Sequence, residues 1–113
     1  MDCLFCKIIV GEIPSKKVYE DDKILAFHDI NPAAPVHFLI VPKIHIDSLD
    51  NINDGDNADY ACYILKKIPE LAASQNIAGG YRVITNIGGD GGQSVKHLHF
   101  HVLGGKKLDI KLG

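Results

Sequence analysis

Residues 97–103 read His97-Leu98-His99-Phe100-His101-Val102-Leu103, a strict alternation of imidazole and apolar side chains. Alternate residues of a strand share a face. The pattern therefore predicts a strand over 95–103, with His97, His99 and His101 on one face and Leu98, Phe100 and Val102 turned into a core on the other. At about 3.3 Å per residue, His97 and His101 stand roughly 13 Å apart along such a strand. Three rings so spread do not suit a single metal ion that needs each nitrogen at about 2.1 Å; two neighbours could share one. The row equally suits an extended anion, with one ring as nucleophile and another as hydrogen-bond donor. The plainer alternative is the half-exposed polar face of an edge strand.

The segment just before the row sharpens this choice. Gly88-Gly89-Asp90-Gly91-Gly92 is a loop whose backbone N–H groups can turn towards a ligand without a Cβ in the way, and Gln93 and Ser94 follow it. It joins two expected strands, so it is neither a Walker A loop nor a dinucleotide fingerprint, both of which open a helix. Upstream, Tyr81 to Asn86 alternates as a strand. Ala58, Ala61, Cys62, Leu65, Ile68 and Ala72 recur at three and four, one apolar face of a helix that Asp56 or Asn57 can cap, that Pro69 should kink or shorten and that Gly79-Gly80 ends. On this pattern Cys62 belongs to the core.

Towards the N-terminus, Val18 to Asp21 and Ile24 to Asp29 read as strands around an Asp21-Asp22-Lys23 turn, and Val36 to Val41, closed by Pro42, has the composition of a central strand. Cys3 to Val10 is too short for periodicity to decide between one helical turn and two. Strands dominate, with one long helix between strand groups, which predicts an α+β fold with a mostly antiparallel sheet.

Composition bounds the function. The chain has 113 residues, 46% apolar and 23% charged, with 12 Lys plus Arg against 14 Asp plus Glu for a net charge of −2. That is the balance of one globular domain without the basic excess of a nucleic-acid binder. No apolar run reaches the roughly 18–20 residues of a membrane span, and nothing near the start reads as a leader, so no membrane partner and a cytoplasmic address are expected. Six His and three Cys are the distinctive titratable set. Cys3-x-x-Cys6 has metal-ligand spacing; the redox reading of the same motif lacks a surrounding βαβ unit.

With these features in place, the sequence resembles the histidine triad (HIT) family of nucleotide-binding proteins. Residues 97–103 match all seven positions of its His-φ-His-φ-His-φ-φ signature, φ being apolar. Lys7-Ile8-Ile9 with Gly11-Glu12-Ile13-Pro14, Leu25 to Ile30, Ala34 to Lys43, Asp90 to Val95 and Gly104-Gly105 look like its Hint branch. The resemblance implies a single HIT domain over 1–113, of HIT-like α+β fold: a five-stranded antiparallel sheet with one long helix and a short N-terminal helix, the sheet continued across a homodimer. It implies a hydrolase that cleaves the P–N bond of purine nucleoside 5′-phosphoramidates, lysyl-AMP among them, and that binds AMP. A dinucleoside polyphosphate hydrolase and a non-catalytic AMP-binding sensor or scaffold are the alternatives; Gln93-Ser94 and Leu103-Gly104-Gly105 favour the Hint branch over its sister branch.

Position by position, the resemblance makes His99 the nucleophile that takes up the nucleotidyl group, His101 a donor to a phosphate oxygen, Ser94 the contact to the leaving nitrogen and His37 a fourth active-site His. Asp29 would accept both ribose hydroxyls. Ile30, Phe27 and Ile8 would wall the base, and Asn86 with Gly92 and Gln93 would hold phosphate and sugar. Each has a plainer reading: Phe27, Ile30 and Ile8 as core, Asp29 and Asn86 as turn residues, Ser94 as a polar loop residue, His28 as a surface residue at a strand end. Family members that bind structural zinc use two N-terminal Cys, a His beyond the Pro-Lys segment and the first triad His, which are Cys3, Cys6, His45 and His97 here. No cofactor is implied for the chemistry itself. The C-terminal tail lacks the Trp found near the end of many Hint proteins.

Overall fold

The computed structural model describes residues 3–111. Its elements are α1 (Leu4–Ile9), β1 (Lys17–Glu20), β2 (Ile24–His28), β3 (Val36–Pro42), a single 3-10 turn at Leu49–Asn51, α2 (Asn57–Ser74), β4 (Tyr81–Ile84) and β5 (Phe100–Gly104). The five strands form one sheet in the order β1-β2-β3-β5-β4, and every neighbouring pair is antiparallel. The expected α+β architecture is therefore observed, long helix and short N-terminal helix included.

Period-two alternation gives the sheet two different faces. Ile24, Ala26, Phe38, Ile40, Phe100 and Val102 point to one side, where α2 covers them with Ile64, Ile68, Leu71 and Ala72. Leu25, Phe27, Leu39 and Val41 point to the other, where Phe5 and Ile8 of α1 are buried on them and Cys3, Ile9, Ile13 and Val95 pack around the edge. A six-residue helix cannot close a whole sheet face, and the uncovered remainder is where His37, His99 and His101 lie.

The last strand is shorter than the sequence pattern predicts, for a reason found on its neighbour. The ladder runs from Val36↔Gly104 to Ile40↔Phe100; two residues further along, Pro42 stands opposite Leu98 and has no N–H to give. Leu98 N–H turns instead to the Ile46 carbonyl at 2.6 Å. On the other flank β4 stops at Ile84, opposite His101, and the Thr85 hydroxyl donates to the His99 carbonyl at 2.8 Å. His97 and His99 therefore precede the ladder in irregular extended chain. The alternation of faces survives: Leu98 remains in the α2-side core and both imidazoles turn to the α1 side.

Helix α2 corrects two expectations. Its buried stripe is Ala61, Ile64, Ile68, Leu71 and Ala72, rotated from the stripe predicted above. Leu65 is 53% exposed, and Ala58 and Cys62 are exposed too, so Cys62 is not a core residue. The helix carries apolar residues over a wide arc, and the sheet takes the side with the bulkier Ile64, Ile68 and Leu71. Pro69, on the exposed side, does not shorten the helix. The end comes at Asn76 (φ 61°), with Ile77 N–H bonded to the Ala72 carbonyl at 3.0 Å and its side chain folded back into the core, ahead of Gly79-Gly80.

The β1–β2 turn also docks α2. The Asp21 carboxylate accepts the Lys23 and Ile24 amides at 2.8 and 3.0 Å, the Tyr19 hydroxyl at 2.8 Å and the Tyr63 hydroxyl from α2. Burial pushes this carboxyl up, but the four donors, Tyr63 first, overcome that and hold it down at about 2. Asp21→Ala should therefore lower the unfolding free energy at pH 7 by about 1–3 kcal/mol in a urea titration. The group is depressed in the folded state, so the deficit should shrink as pH falls from 3.8 towards 2, where the native protein loses the same charge.

Candidate functional site

Two groups of side chains meet on the open face of the sheet. The first is Cys3, Cys6, His45 and His97, whose ligand atoms all lie within 4.8 Å of one another. Cys3 caps α1 and Cys6 lies one turn on, so one short helix presents both sulfurs. His97 Nδ1 is 3.3 Å from Cys3 Sγ and 3.5 Å from Cys6 Sγ; His45 Nδ1 is 3.3 Å from Cys6 Sγ. The partners of the far nitrogens fix both tautomers. A carbonyl has no proton, so His97 Nε2–H donates to the Pro42 carbonyl at 2.9 Å, and His45 Nε2–H donates to Asp47 Oδ1 at 2.7 Å. Both Nδ1 lone pairs then face the sulfurs, with the outer nitrogens anchored as they are behind metal-bound imidazoles.

The electrostatics of the cluster fit a cation. Burial, with the Cys3 sulfur next to it, pushes the Cys6 thiol up to about 11. Burial pushes the fully enclosed His97 ring down to about 4, against the Pro42 hydrogen bond. Two sulfurs, of which the Cys6 thiol resists ionising, converge with the two Nδ1 lone pairs into a donor set that a thiophilic divalent ion satisfies. Two thiolates and two imidazoles are a closed tetrahedral set for zinc.

The second group is His99, His101 and His37. His99 Nδ1–H donates to the His97 carbonyl at 2.7 Å, which leaves the Nε2 lone pair free. His37 Nδ1 accepts the Ala33 N–H at 3.0 Å, so its proton is on Nε2 and is given to His101 Nδ1 at 2.9 Å. His101 must then carry its proton on Nε2. One backbone amide thus sets the tautomers of two successive rings. The His99 and His101 ring centroids are 5.0 Å apart, so a lone pair and an N–H donor lie side by side. Burial pushes all three rings below the ordinary imidazole value, His101 to about 4 with the help of His99 and His37, while Asp29 pulls the other way. Asp29, His37 and His101 also have ligand atoms within 4.8 Å of one another, but there the imidazole lone pairs already accept protons.

A cleft of about 380 Å³ opens over these rings. Ile8, Phe27, Asp29, Ile30, Ser94, His99 and His101 line it, so the structure brings together seven of the residues singled out from the sequence. Ile30 is 91% exposed and is not a core residue; it sits at the cleft mouth, beyond the end of β2. Asp29 is both a turn residue and a wall residue: Oδ1 accepts the Asn31 N–H at 2.8 Å and Oδ2 lies 3.5 Å from His37 Nε2. His37 lines the adjoining pocket with Asp29 and Ile30.

Asn86, Gly92 and Gln93 do not line the cleft. Asn86 Nδ2–H donates to the Gly91 carbonyl at 2.8 Å, and Gln93 accepts the Gly88 N–H at 2.9 Å while donating to the Asp47 carbonyl at 2.6 Å, so both side chains brace the glycine loop. At Gly91 a Cβ would stand 2.2 Å from the Ile87 carbonyl oxygen, which restricts that position to glycine. Phe5, Leu39 and Val95 also line the cleft, and sequence reasoning missed them. Phe5 lies edge-on to His99 with centroids 4.9 Å apart. Its one sequence signal was its place between two candidate ligands. Asp47, which anchors His45, stands two residues from it and was equally overlooked.

Comparison with known proteins agrees with this geometry. The profile of the HIT domain family matches residues 10–108. Protein HitA of Neisseria gonorrhoeae is 43% identical over 103 residues, covering 91% of this chain and 95% of its own. A 14 kDa zinc-binding protein of Zea mays is 44% identical over 108 residues, covering 94% and 84%. Among solved structures, a HIT family hydrolase from Clostridium thermocellum superposes with a TM-score of 0.93 at 49% identity, covering 98% of this chain and 96% of that one. A histidine triad protein from Clostridium difficile superposes with a TM-score of 0.93 at 55% identity, covering 99% and 97%. With the profile spanning most of its length and these relatives aligned nearly end to end, the chain belongs to the HIT domain family, and its fold is that of the solved HIT family hydrolases.

Proposed function

We propose that the protein is a nucleotide-binding hydrolase of the Hint branch that cleaves the P–N bond of purine nucleoside 5′-phosphoramidates. The observation that carries this is the pairing of tautomers on the open sheet face: a free lone pair on His99 Nε2 next to an N–H on His101 Nε2. His99 Nε2 attacks the α-phosphorus and the P–N bond breaks. The leaving amine departs with its electron pair and takes up a proton from solvent beside Ser94. Water then attacks the same phosphorus, the P–Nε2 bond breaks with its electrons returning to His99, and one water proton goes back to solvent. His101 donates to a non-bridging oxygen as charge builds on it. Both rings are neutral at pH 7, which the lone pair requires and the donor tolerates.

Around this centre, Ile8, Phe27 and Ile30 suit a purine ring, and the free oxygen of Asp29 suits ribose hydroxyls. Asn86, Gly92 and Gln93 serve by shaping the glycine loop, whose backbone N–H groups are the remaining donors for phosphate. Zinc is held by Cys3, Cys6, His45 and His97, supported by their donor geometry. The working unit is a homodimer in which the sheet continues across β4. That strand has a partner on one side, β5, and Val83 is 40% exposed on it.

Three measurements test this reading. His99→Asn should lower turnover of adenosine 5′-phosphoramidate by at least about a thousand-fold while AMP still binds in calorimetry; wild-type turnover in that variant, or faster cleavage of diadenosine polyphosphates by the wild type, overturns it. Protein prepared without chelator should contain one zinc per chain by elemental analysis and melt at least about 5 °C higher than chelator-treated protein. The third is a pH profile. Burial lowers His101 from 6.5 to about 4, so the unfolded chain takes up that proton first as pH falls. The His101 contribution to native stability should then decline between pH 6.5 and 4 and level off below, so His101→Gln should make the decline in that window shallower.

A further inference from the structure

We infer that ion binding at Cys3, Cys6, His45 and His97 and nucleotide binding in the neighbouring cleft are positively coupled through helix α1 and the main chain of His97. The inference rests on the nucleotide reading above and concerns how that site is held in working order.

Six residues are too few for a helix to be stable on its own, because nucleation outweighs so few intrahelical bonds. Helix α1 is kept in place from outside. Its N-cap is a ligand candidate: Cys3 Sγ accepts the Cys6 N–H at 3.3 Å. Without an ion, its links to the rest of the cluster are sulfur–nitrogen contacts of 3.3 to 3.5 Å to His97 and His45, which are weak bonds. An ion would replace them with coordinate bonds from α1 to the segments following β3 and preceding β5.

The same six residues form a wall of the cleft. Leu4, Phe5 and Ile8 line it, and the Phe5 ring, placed between the two cysteines, contacts both His99 and Phe27 edge-on at 4.9 and 5.7 Å. When α1 loosens, the cleft loses that wall and His99 loses a packing partner. A second connection runs through His97. Its ring faces the sulfurs, while its carbonyl takes the His99 Nδ1 proton at 2.7 Å and so keeps the Nε2 lone pair available. An ion on the His97 ring therefore steadies the acceptor that sets the tautomer of its neighbour.

A ligand that needs the ordered cleft and an ion that orders it must favour each other by the same factor. An ion that merely stabilised the fold would raise the melting temperature and leave nucleotide affinity alone. The experiment is calorimetric titration of AMP into zinc-loaded and chelator-depleted full-length protein, with zinc affinity measured against a competing chelator with and without saturating AMP. AMP should bind about five- to thirty-fold more weakly to the depleted protein, and zinc should bind more tightly by the same factor when AMP is present. His45→Ala provides an arm that keeps the buried ligand in place, since His45 is partly exposed and outside the cleft. It should show the same loss of AMP affinity, together with faster amide exchange over residues 4–10. Equal AMP affinity in the loaded, depleted and His45→Ala forms overturns the coupling and leaves the nucleotide reading standing. No AMP binding to the zinc-loaded protein overturns both.

Discussion

One fully buried residue, His97, holds three parts of the molecule together. Its Nε2–H bonds to the Pro42 carbonyl, its Nδ1 faces the sulfurs of α1, and its own carbonyl accepts the proton of His99. The Pro42 bond exists because proline left the ladder without a donor at that position, so a carbonyl and a stretch of strand were free for a side chain to use. Burying an imidazole in this way is tolerable only when both nitrogens find work. Here one is a donor to a main-chain oxygen and the other is aimed at two sulfurs. Replacing the ring would leave the Pro42 carbonyl and the cysteines each short of a partner, and would remove the packing that holds the carbonyl used by His99 in place.

The placement of the site follows from the unequal covering of the sheet. The buried apolar side chains of three strands, β2, β3 and β5, meet an eighteen-residue helix on one face and are sealed. The other face receives a six-residue helix, enough to bury Phe5 and Ile8 and to set Phe5 against one side of His99, but not to close the cleft over His99 and His101. Those rings stay dry enough to remain neutral and open enough to be reached. The same shortness leaves α1 held from outside, by Phe5 and Ile8 on the sheet and by its cysteines at His97 and His45.

Most of this was legible in the sequence because the relevant signal has period two. The alternation at 97–103 assigned each side chain to its face correctly, even though the ladder itself begins only at Phe100. The strand boundary was missed because it is set by Pro42, far away in sequence and brought opposite Leu98 only in the folded chain. The stripe of α2 was misplaced because apolar residues cover a wide arc of that helix, and only the sheet decides which part is buried. Cys62 and Leu65 went outward for that reason. Ile30 looked like a core residue by composition, and its exposure comes from the chain leaving β2 just before it. The bracing roles of Asn86 and Gln93 were hidden because a glycine loop shows its need for internal ties only once its shape is known.

The row of three imidazoles divides its work by position along the chain. Residues two apart on an extended segment are separated by roughly 6.6 Å, close enough for the ring of the second to bond the carbonyl of the first. His97 uses its ring in one direction and its carbonyl in the other, so the His97–Leu98 peptide joins a coordination set to a nucleophile candidate. His101, one step further, lies inside the ladder opposite Leu39. There its ring is steadied by a side chain, His37 on β3, and no longer by a main-chain oxygen. The three rings are alike in sequence but differ in what holds them: a proline carbonyl, a neighbouring peptide and another imidazole. That difference in support, more than the repeated residue type, fixes which nitrogen of each ring is free for chemistry.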